Sequence, residues 1–167
     1  MAHTTENVVT KTMGAVKDAK AVLKGLTGVF RHLMEEHGKV GALMKRVSAA
    51  ANEDIRRDTW PAIRTELLSH ENGEVNGVYS SLALYPELAS MLAVYADEPK
   101  LLEDAVRAVD ALSFQNDAWQ PTFELLLALV LQHFAEEESE LFPKAQRVIG
   151  KERAKALVSS YEAAKRA

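Results

Sequence analysis

Residues 119–137 have the sequence Trp-Gln-Pro-Thr-Phe-Glu-Leu-Leu-Leu-Ala-Leu-Val-Leu-Gln-His-Phe-Ala-Glu-Glu, and this stretch decides the fold class. Steps of three and four residues connect one row of its side chains, namely Trp119, Phe123, Leu126, Val130, His133 and Glu137. Such spacing is typical of the inward face of a helix in a bundle. The row is apolar until a histidine and a glutamate follow one turn apart. The stretch therefore predicts a bundle helix with polar side chains on its buried face.

Two further stretches repeat this pattern. Their rows are Leu26, Phe30, Leu33, His37, Val40, Met44 and Val47, and then Trp60, Ile63, Leu67, His70, Glu74 and Gly77. His37 interrupts the first apolar row, and His70 and Glu74 stand one turn apart in the second. Side chains four residues apart on a helix are close enough to reach the same ion. Three predicted core faces thus each carry a histidine, and two of them add a glutamate.

The rest of the chain is also predicted to be helical, because no segment alternates like a half-buried strand. The predicted helices cover about 6–24, 27–51, 58–84, 97–112, 117–149 and 151–165, with breaks at Gly25, Asn52, Glu53, Pro86 and Gly150. Asp97 and Asp117 are predicted N-caps, and Pro99 suits a first helical turn. The simplest architecture is an all-α, antiparallel up-down four-helix bundle over about 26–149. It forms one domain of residues 1–167, with additional N- and C-terminal helices.

Charge and composition exclude several classes of function. The net charge of −4 is spread over interspersed acids and bases, which argues against nucleic acid or an anionic membrane as partner. The chain has no cysteine, so any metal must be held by nitrogen and oxygen. The first residues lack the basic and apolar regions of a signal peptide, and the apolar run at 125–131 is too short to span a bilayer. We therefore expect a cytoplasmic protein.

The buried faces point to metal binding. Burying an ionised carboxylate without a partner is very costly, and a pair of cations accounts for two glutamates and three histidines on core faces. Imidazole and carboxylate together suit iron, manganese or zinc, and bridging carboxylates favour two irons. One core histidine alone is more often structural, and one His-x-x-x-Glu is a common surface pair. Agreement in phase among all five residues is what favours a metal centre.

Other acids and histidines do not share that phase. His32 and Glu36 form another His-x-x-x-Glu pair, but they fall off the row and are interpreted as a partly solvated helix pair. Glu136, Glu138 and Glu140 are interpreted mostly as a solvated acidic face. Glu71 follows His70 directly and either supports a ligand or is exposed. His3 lies close to the N-terminus and carries no prediction.

Three segments, 33–40, 66–74 and 133–143, resemble the hemerythrin/HHE cation-binding family, and the resemblance covers about residues 28–164. It implies four antiparallel helices around two irons bridged by carboxylates, with O2 or a related small molecule at an open iron position. By position, the implied iron ligands are His37, His70, Glu74, His133 and Glu137. Glu74 and Glu137 would bridge the irons. His37 and His70 would bind one iron and His133 the other.

The third predicted helix departs from the family, since no histidine stands between His70 and His133. Its row is Tyr95, Glu98, Leu102, Ala105, Val109 and Leu112. Tyr95 falls about where the family histidine is expected, and Glu98 follows one turn later. Both are candidate metal ligands; alternatively, Tyr95 is a core aromatic and Glu98 an acid favoured at a helix start. Either way, the second iron position is expected to be the weaker one.

The leading functional hypothesis is a di-iron protein, with zinc or manganese as substitutes, that binds, senses or scavenges O2, peroxide or nitric oxide. The alternatives are a carboxylate-bridged di-iron oxidase or peroxidase, and a helical module with a single or structural metal. A ferritin-like enzyme is disfavoured, because no histidine has a glutamate three residues before it. A zinc metalloprotease is disfavoured because His70-Glu71 lacks a second histidine four residues after the first. Enzymatic activity is therefore not the favoured prediction.

Overall fold

The structure is a computed structural model that describes the backbone of residues 2–50 and 52–167, and the side chains of residue 8 and of residues 10–50 and 52–167. Every regular element in these ranges is helical, which confirms the all-α prediction. Within the same ranges, no helix combines the length and apolar character needed to cross a membrane. The side chains of His3 and Val9 lie outside the described ones.

The chain forms eight α-helices, two π-helices and one 3₁₀ turn in the described ranges. The α-helices are α1 (Ala2–Leu23), α2 (Gly28–Ser48), α3 (Glu53–Asn72), α4 (Ser80–Leu82), α5 (Ala89–Val94), α6 (Glu98–Asp110), α7 (Trp119–Glu136) and α8 (Phe142–Lys165). The π-helix Gly73–Tyr79 joins α3 to α4, and the π-helix Glu137–Leu141 joins α7 to α8. The 3₁₀ turn Pro86–Leu88 precedes α5.

The four-helix bundle with extra terminal helices is confirmed. The helix α2 lies at its centre and packs against α3, α7 and α8, while α6 packs mainly against α7 and less against α3. The N-terminal α1 packs along α2, and α8 packs against the π-helix Gly73–Tyr79. Gly150, with φ of 77°, interrupts α8, so that its second part is a separate terminal helix as predicted.

The apolar core consists of two clusters with a polar layer between them. One cluster contains Phe30, Leu82 and Phe142, and the other contains Trp60 and Trp119. In α2, α3 and α7, and in the π-helices that continue the last two, the core histidines and glutamates fall between residues of the two clusters. Apolar packing on both sides therefore fixes the polar layer in place.

Several predicted helix ends were wrong. The helix predicted from about 58 begins at Glu53, because the side chain of Asn52 accepts a hydrogen bond from the backbone N–H of Asp54 at 2.8 Å. The N-cap predicted at Asp117 was wrong, because Ala118 holds that position of α7 without a side-chain cap, and the side chain of Asn116 accepts from the N–H of Ala118 in the turn before the helix. Asp97 does occupy the N-cap position of α6, but its side chain makes no capping hydrogen bond. Neither α5 nor the two π-helices were predicted.

Two glycines bring the terminal part of α8 against the first π-helix. A Cβ atom at Gly77 would lie 2.7 Å from backbone atoms of Ser160 and Tyr161. A Cβ atom at Gly73 would lie 2.5 Å from the ring of Tyr161. Because only glycine permits this approach, the ring of Tyr161 is completely buried beside the polar layer.

Candidate metal centre

Five side chains of the polar layer face one another. They are His37 from α2, His70 from α3, Glu74 from the first π-helix, His133 from α7 and Glu137 from the second π-helix, and each is 3% exposed or less. The Nε2 atoms of His37 and His70 lie 3.2 Å apart. The structure thus brings together all five residues predicted from the phase of three helices.

The two buried carboxylates lie between the histidines. Glu74 lies 3.4 Å from Nε2 of His70 and 3.7 Å from Nε2 of His133 through the same oxygen, Oε2. Oε2 of Glu137 lies 3.5 Å from Nε2 of His37 and 3.4 Å from Nε2 of His133. Each carboxylate therefore reaches histidines on both sides of the cluster, which is the position that a bridging carboxylate needs.

The π-helices place these carboxylates. Glu74 lies in the first one and Glu137 begins the second, and Tyr79 is the last residue of the first. The hydroxyl of Tyr79 donates a hydrogen bond to Oε1 of Glu137 in the second. Single π-turns within α-helices are frequent at functional sites because they redirect a side chain without ending the helix.

Several atoms of the cluster are buried without a hydrogen-bond partner among the described residues. They are both carboxylate oxygens of Glu74, Oε2 of Glu137, Nε2 of His133 and Oε1 of Glu71. A buried polar group without a partner costs about 1–3 kcal/mol, and more if it is charged. A cation among these nitrogen and oxygen atoms satisfies them together. The residues present therefore fit a metal ion.

Each core histidine also meets a second carboxylate, on the far side of its ring. The pairs are Nδ1 of His37 with Glu138 at 3.0 Å, Nδ1 of His70 with Glu36 at 3.0 Å, and Nδ1 of His133 with Glu98 at 2.6 Å. A proton on Nδ1, donated to the carboxylate, leaves the lone pair of Nε2 pointing into the cluster. This is the tautomer that binds a metal.

The terminal helices support two of these outer carboxylates. Lys17 of α1 forms an ion pair with Glu138, and Lys165 of α8 lies 3.0 Å from Glu36. The hydroxyl of Tyr161 donates to Glu36 and lies 2.8 Å from Nδ1 of His70. The orientation of a core histidine ring therefore depends on residues outside the central bundle.

The charges of the cluster shift its pKa values strongly. Burial opposes the charge on His70, but Glu74 and Glu36 outweigh it and raise its pKa to about 9. In the same way, Glu74 and Glu98 raise the pKa of His133 to about 10. Burial and the charge of Glu74 raise the pKa of Glu137 far above its usual range. Protons thus compete with a metal ion for the same atoms.

The structure places the two third-helix candidates differently from the other five. Tyr95 ends α5 and is buried, and its ring centroid lies 6.5 Å from that of His133. Burial and the charge of Glu140 raise its pKa to about 12. Glu98 contacts Nδ1 of His133, which is the nitrogen turned away from Glu74 and Glu137. Ligation by Tyr95 or Glu98 stays a prediction.

Glu71 is a member of the cluster that the sequence left open. Its Oε2 atom lies 3.8 Å from Nε2 of His133. Ligand atoms of Glu71, Glu74 and His133 lie within 4.8 Å of one another, as do those of His37, His70 and Glu74. These two sets share Glu74, and each of them could hold a metal ion. The position of Glu71, directly after a core histidine, was the only sequence feature that could have found it.

Two interpretations of the remaining acids and histidines have different outcomes. His32 is partly exposed and pairs with Glu36 and Glu162, at 3.2 Å and 2.9 Å, which confirms that it lies off the core row. Glu138 was wrongly included in a solvated acidic face. It is only 7% exposed, because His37 and Lys17 hold its carboxylate inside.

Comparison with known proteins gives one match. A family model described as the hemerythrin HHE cation binding domain matches residues 28–145, a range that contains all five core histidines and glutamates. Neither the curated proteins nor the solved structures contain a significant match to the chain. Since the matched range covers most of the chain, this protein belongs to the hemerythrin HHE cation-binding domain family.

Proposed function

We propose that this protein is a non-haem di-iron protein that binds or senses O2, or a related small molecule such as peroxide or nitric oxide. Membership of the family supports cation binding. The observation that carries the proposal is the group of buried, unpartnered nitrogen and oxygen atoms contributed by α3, α7 and the π-helices. Imidazole and carboxylate ligands together suit iron, and zinc or manganese can substitute for it.

We assign the ligands to two positions. His37, His70 and Glu74 would hold one ion, and Glu71, Glu74 and His133 would hold the other. Glu137, which faces histidines of both positions, bridges them together with Glu74. Glu71 thus takes the place of the nitrogen ligand that the third helix lacks. The second position is richer in oxygen and binds its ion more weakly than the first.

A bound metal would supply redox chemistry toward O2, peroxide or nitric oxide, and the chain's own residues control its surroundings. Glu138, Glu36 and Glu98 keep the Nε2 lone pairs directed inward. The ring of Phe134 stacks on His37 with centroids 3.8 Å apart and shields it from water. In this assignment Glu98 positions His133 and does not bind the metal.

A second candidate function is oxidation of an organic molecule by the same centre. One observation favours it. A cavity of about 750 Å³ is lined by His70 and Glu71, and this volume is far more than a diatomic ligand needs.

The proposed function is tested by elemental analysis after iron-supplemented expression, together with visible spectra recorded before and after O2 is admitted to reduced protein. We expect about two iron ions per chain and a spectrum that changes with O2. Protein without a bound transition metal would refute the di-iron assignment. If the protein holds two irons but its spectrum does not respond to O2, peroxide or nitric oxide, the di-iron assignment stands and the sensing role is refuted.

A further inference from the structure

A cavity beside the metal centre separates α3 from α6. Its apolar wall is formed by Leu67, Leu102, Val106, Val130 and Phe134, which come from α3, α6 and α7. The buried His70 and the largely buried Glu71 line its inner part. The exposed Asn76 and Lys100 line its outer part, so the cavity connects the centre with solvent.

The irregular third helix explains why this space exists. The chain passes through a 3₁₀ turn and the short α5 before α6 begins at Glu98. The helix α6 then packs mainly on α7 and touches α3 little. The gap that remains is about 750 Å³, within the range of pockets that hold small organic molecules.

The inner part of the cavity offers a hydrogen-bond acceptor. This acceptor is the carboxylate of Glu71, whose side chain lines the cavity and is 12% exposed, with Oε2 3.8 Å from Nε2 of His133. A hydroxyl group on a bound molecule would donate a hydrogen bond to this carboxylate. A carboxylate on the bound molecule would be repelled there.

The outer part of the cavity does not select a charged molecule. Lys100 and Arg107 are each paired with a carboxylate four residues away on the same helix, Asp104 and Glu103. Positive and negative side chains therefore alternate at the mouth. The apolar wall and this balanced rim favour a neutral molecule.

We propose that the cavity binds a neutral organic molecule with an apolar body and one terminal hydroxyl, whose hydroxyl donates to Glu71. This inference deepens the proposed function and rests on it, because it brings the hydroxyl next to the metal-binding residues. The ligand is a phenol, or an alcohol of the same size as such a phenol.

Isothermal titration calorimetry of the purified, metal-containing protein tests the chemistry of the ligand. The probes are 4-propylphenol, 4-propylanisole, which lacks the donor, and 4-propylbenzoate, which carries a charge. We expect the phenol to bind once per chain and at least about tenfold more tightly than either of the others, which corresponds to about 1.4 kcal/mol. Equal affinities, or no saturable binding of the phenol, would overturn the proposal.

A matched pair of tryptophan variants tests the location. Leu68 lines the cavity and is 36% exposed, and Leu125 is 74% exposed on α7 and does not line it. Leu68→Trp should weaken phenol binding at least about tenfold, and Leu125→Trp should leave it unchanged. Ala96→Trp fills the cavity from the opposite wall and serves if Leu68→Trp does not fold. Unchanged phenol binding in a folded cavity variant would contradict the location.

Metal analysis of the same samples keeps the two proposals apart. Both variants should retain the metal content of the unaltered protein, because neither residue belongs to the proposed ligands. Normal metal content without phenol binding would overturn the cavity proposal alone. Phenol binding by protein that takes up no transition metal would overturn the proposed function and leave the cavity as a binding site.

Discussion

At the scale of single residues, the two nitrogens of each core histidine have separate tasks. The Nδ1 atoms contact outer carboxylates, and the Nε2 atoms face Glu74 or Glu137. An outer partner holds the ring in one orientation, and such partners commonly change metal affinity by 10–100-fold. In the proposed assignment, loss of an Nε2 atom removes a metal ligand, whereas loss of an outer carboxylate only loosens the orientation of a histidine ring.

Replacing a core histidine should therefore cause loss of metal, whereas replacing a peripheral histidine should not. We expect His37→Ala and His70→Ala to lose metal and to melt at lower temperature, since an ion present at a thousand times its Kd stabilises the fold by about 4 kcal/mol. His32→Ala is the control, because His32 is partly exposed, lies off the core row and contacts Glu36, Glu162 and the ring of Tyr161 but none of the five core residues. Elemental analysis and thermal melting check this. Loss of metal in His32→Ala alone would show that the core row is assigned wrongly.

The inner residues could be predicted from the sequence and most of the outer ones could not. His37, His70 and His133 follow the period of their own helices, so phase alone locates them. Glu138 becomes a partner only because the second π-helix lies beside α2, and Glu98 only because α6 packs on α7. The spacing within a single helix contains no information about such contacts.

A pair of tyrosine variants tests whether Tyr95 binds iron. Burial raises the pKa of Tyr95 to about 12, so its phenol loses a proton near neutral pH only if iron binds the oxygen directly. If the predicted ligation holds, Tyr95→Phe abolishes a tyrosinate-to-iron band in the visible spectrum and weakens the second position. Tyr79→Phe, which removes a hydrogen bond to Glu137, should leave that band in place. A spectrum and metal content unchanged by Tyr95→Phe would make Tyr95 a core aromatic.

At the scale of elements, the two π-helices give the polar layer its form. Each continues an α-helix that the apolar row predicts correctly, and each begins within four residues of a core histidine. The spacing of apolar residues could not reveal the π-helices. A change from α- to π-type hydrogen bonding alters the pairing of backbone groups and leaves the pattern of amino acids intact. Packing of the first π-helix against α8 requires glycine at two positions instead.

Replacing Gly77 should lower the stability of the fold and weaken metal binding, although Gly77 is not a proposed metal ligand. In Gly77→Ala the new Cβ would meet backbone atoms of Ser160 and Tyr161 at 2.7–2.8 Å, and backbone cannot yield cheaply. We expect a loss of about 1–3 kcal/mol in the free energy of unfolding. Displacement of Tyr161 from His70 should also weaken metal binding.

The control for this variant is Gly41→Ala. A Cβ atom at Gly41, within α2, has its nearest neighbour at an ordinary 3.6 Å. Alanine is favoured over glycine inside a helix by about 0.5–1 kcal/mol, so this variant should be slightly more stable. Chemical denaturation and metal titration of both variants provide the comparison. Equal stability of the two would contradict the close approach at Gly77.

At the scale of the whole molecule, the terminal helices are parts of the metal centre. The sequence predicts a helix at each end of the bundle, and the family match at 28–145 leaves both outside. The structure connects α1 to His37 through Lys17 and Glu138, and the end of α8 to His70 through Glu36. The positions of Lys17 and Lys165 are thereby coupled to the state of the centre.

Metal binding should release protons, and the stability it confers should grow with pH. The pKa values of about 9 for His70 and about 10 for His133 mean that both rings are protonated at pH 7.5 in the folded protein. A metal ion needs their Nε2 lone pairs, so its binding must displace at least two protons. Apparent affinity should therefore rise by up to about a hundredfold for each unit of pH below 9.

The same shifts predict the opposite trend for protein stripped of metal by a chelator. A histidine whose pKa is higher in the folded protein than its unfolded value of about 6.5 stabilises the fold fully below pH 6.5. That contribution is lost as the pH rises through 9 and 10. Melting temperatures of stripped and metal-loaded protein should thus diverge between pH 6 and pH 9. Calorimetric titration of the metal in two buffers of different ionisation enthalpy counts the released protons directly. A count of zero at pH 7.5 would mean that the histidines are already neutral. Protons would then not compete with the metal.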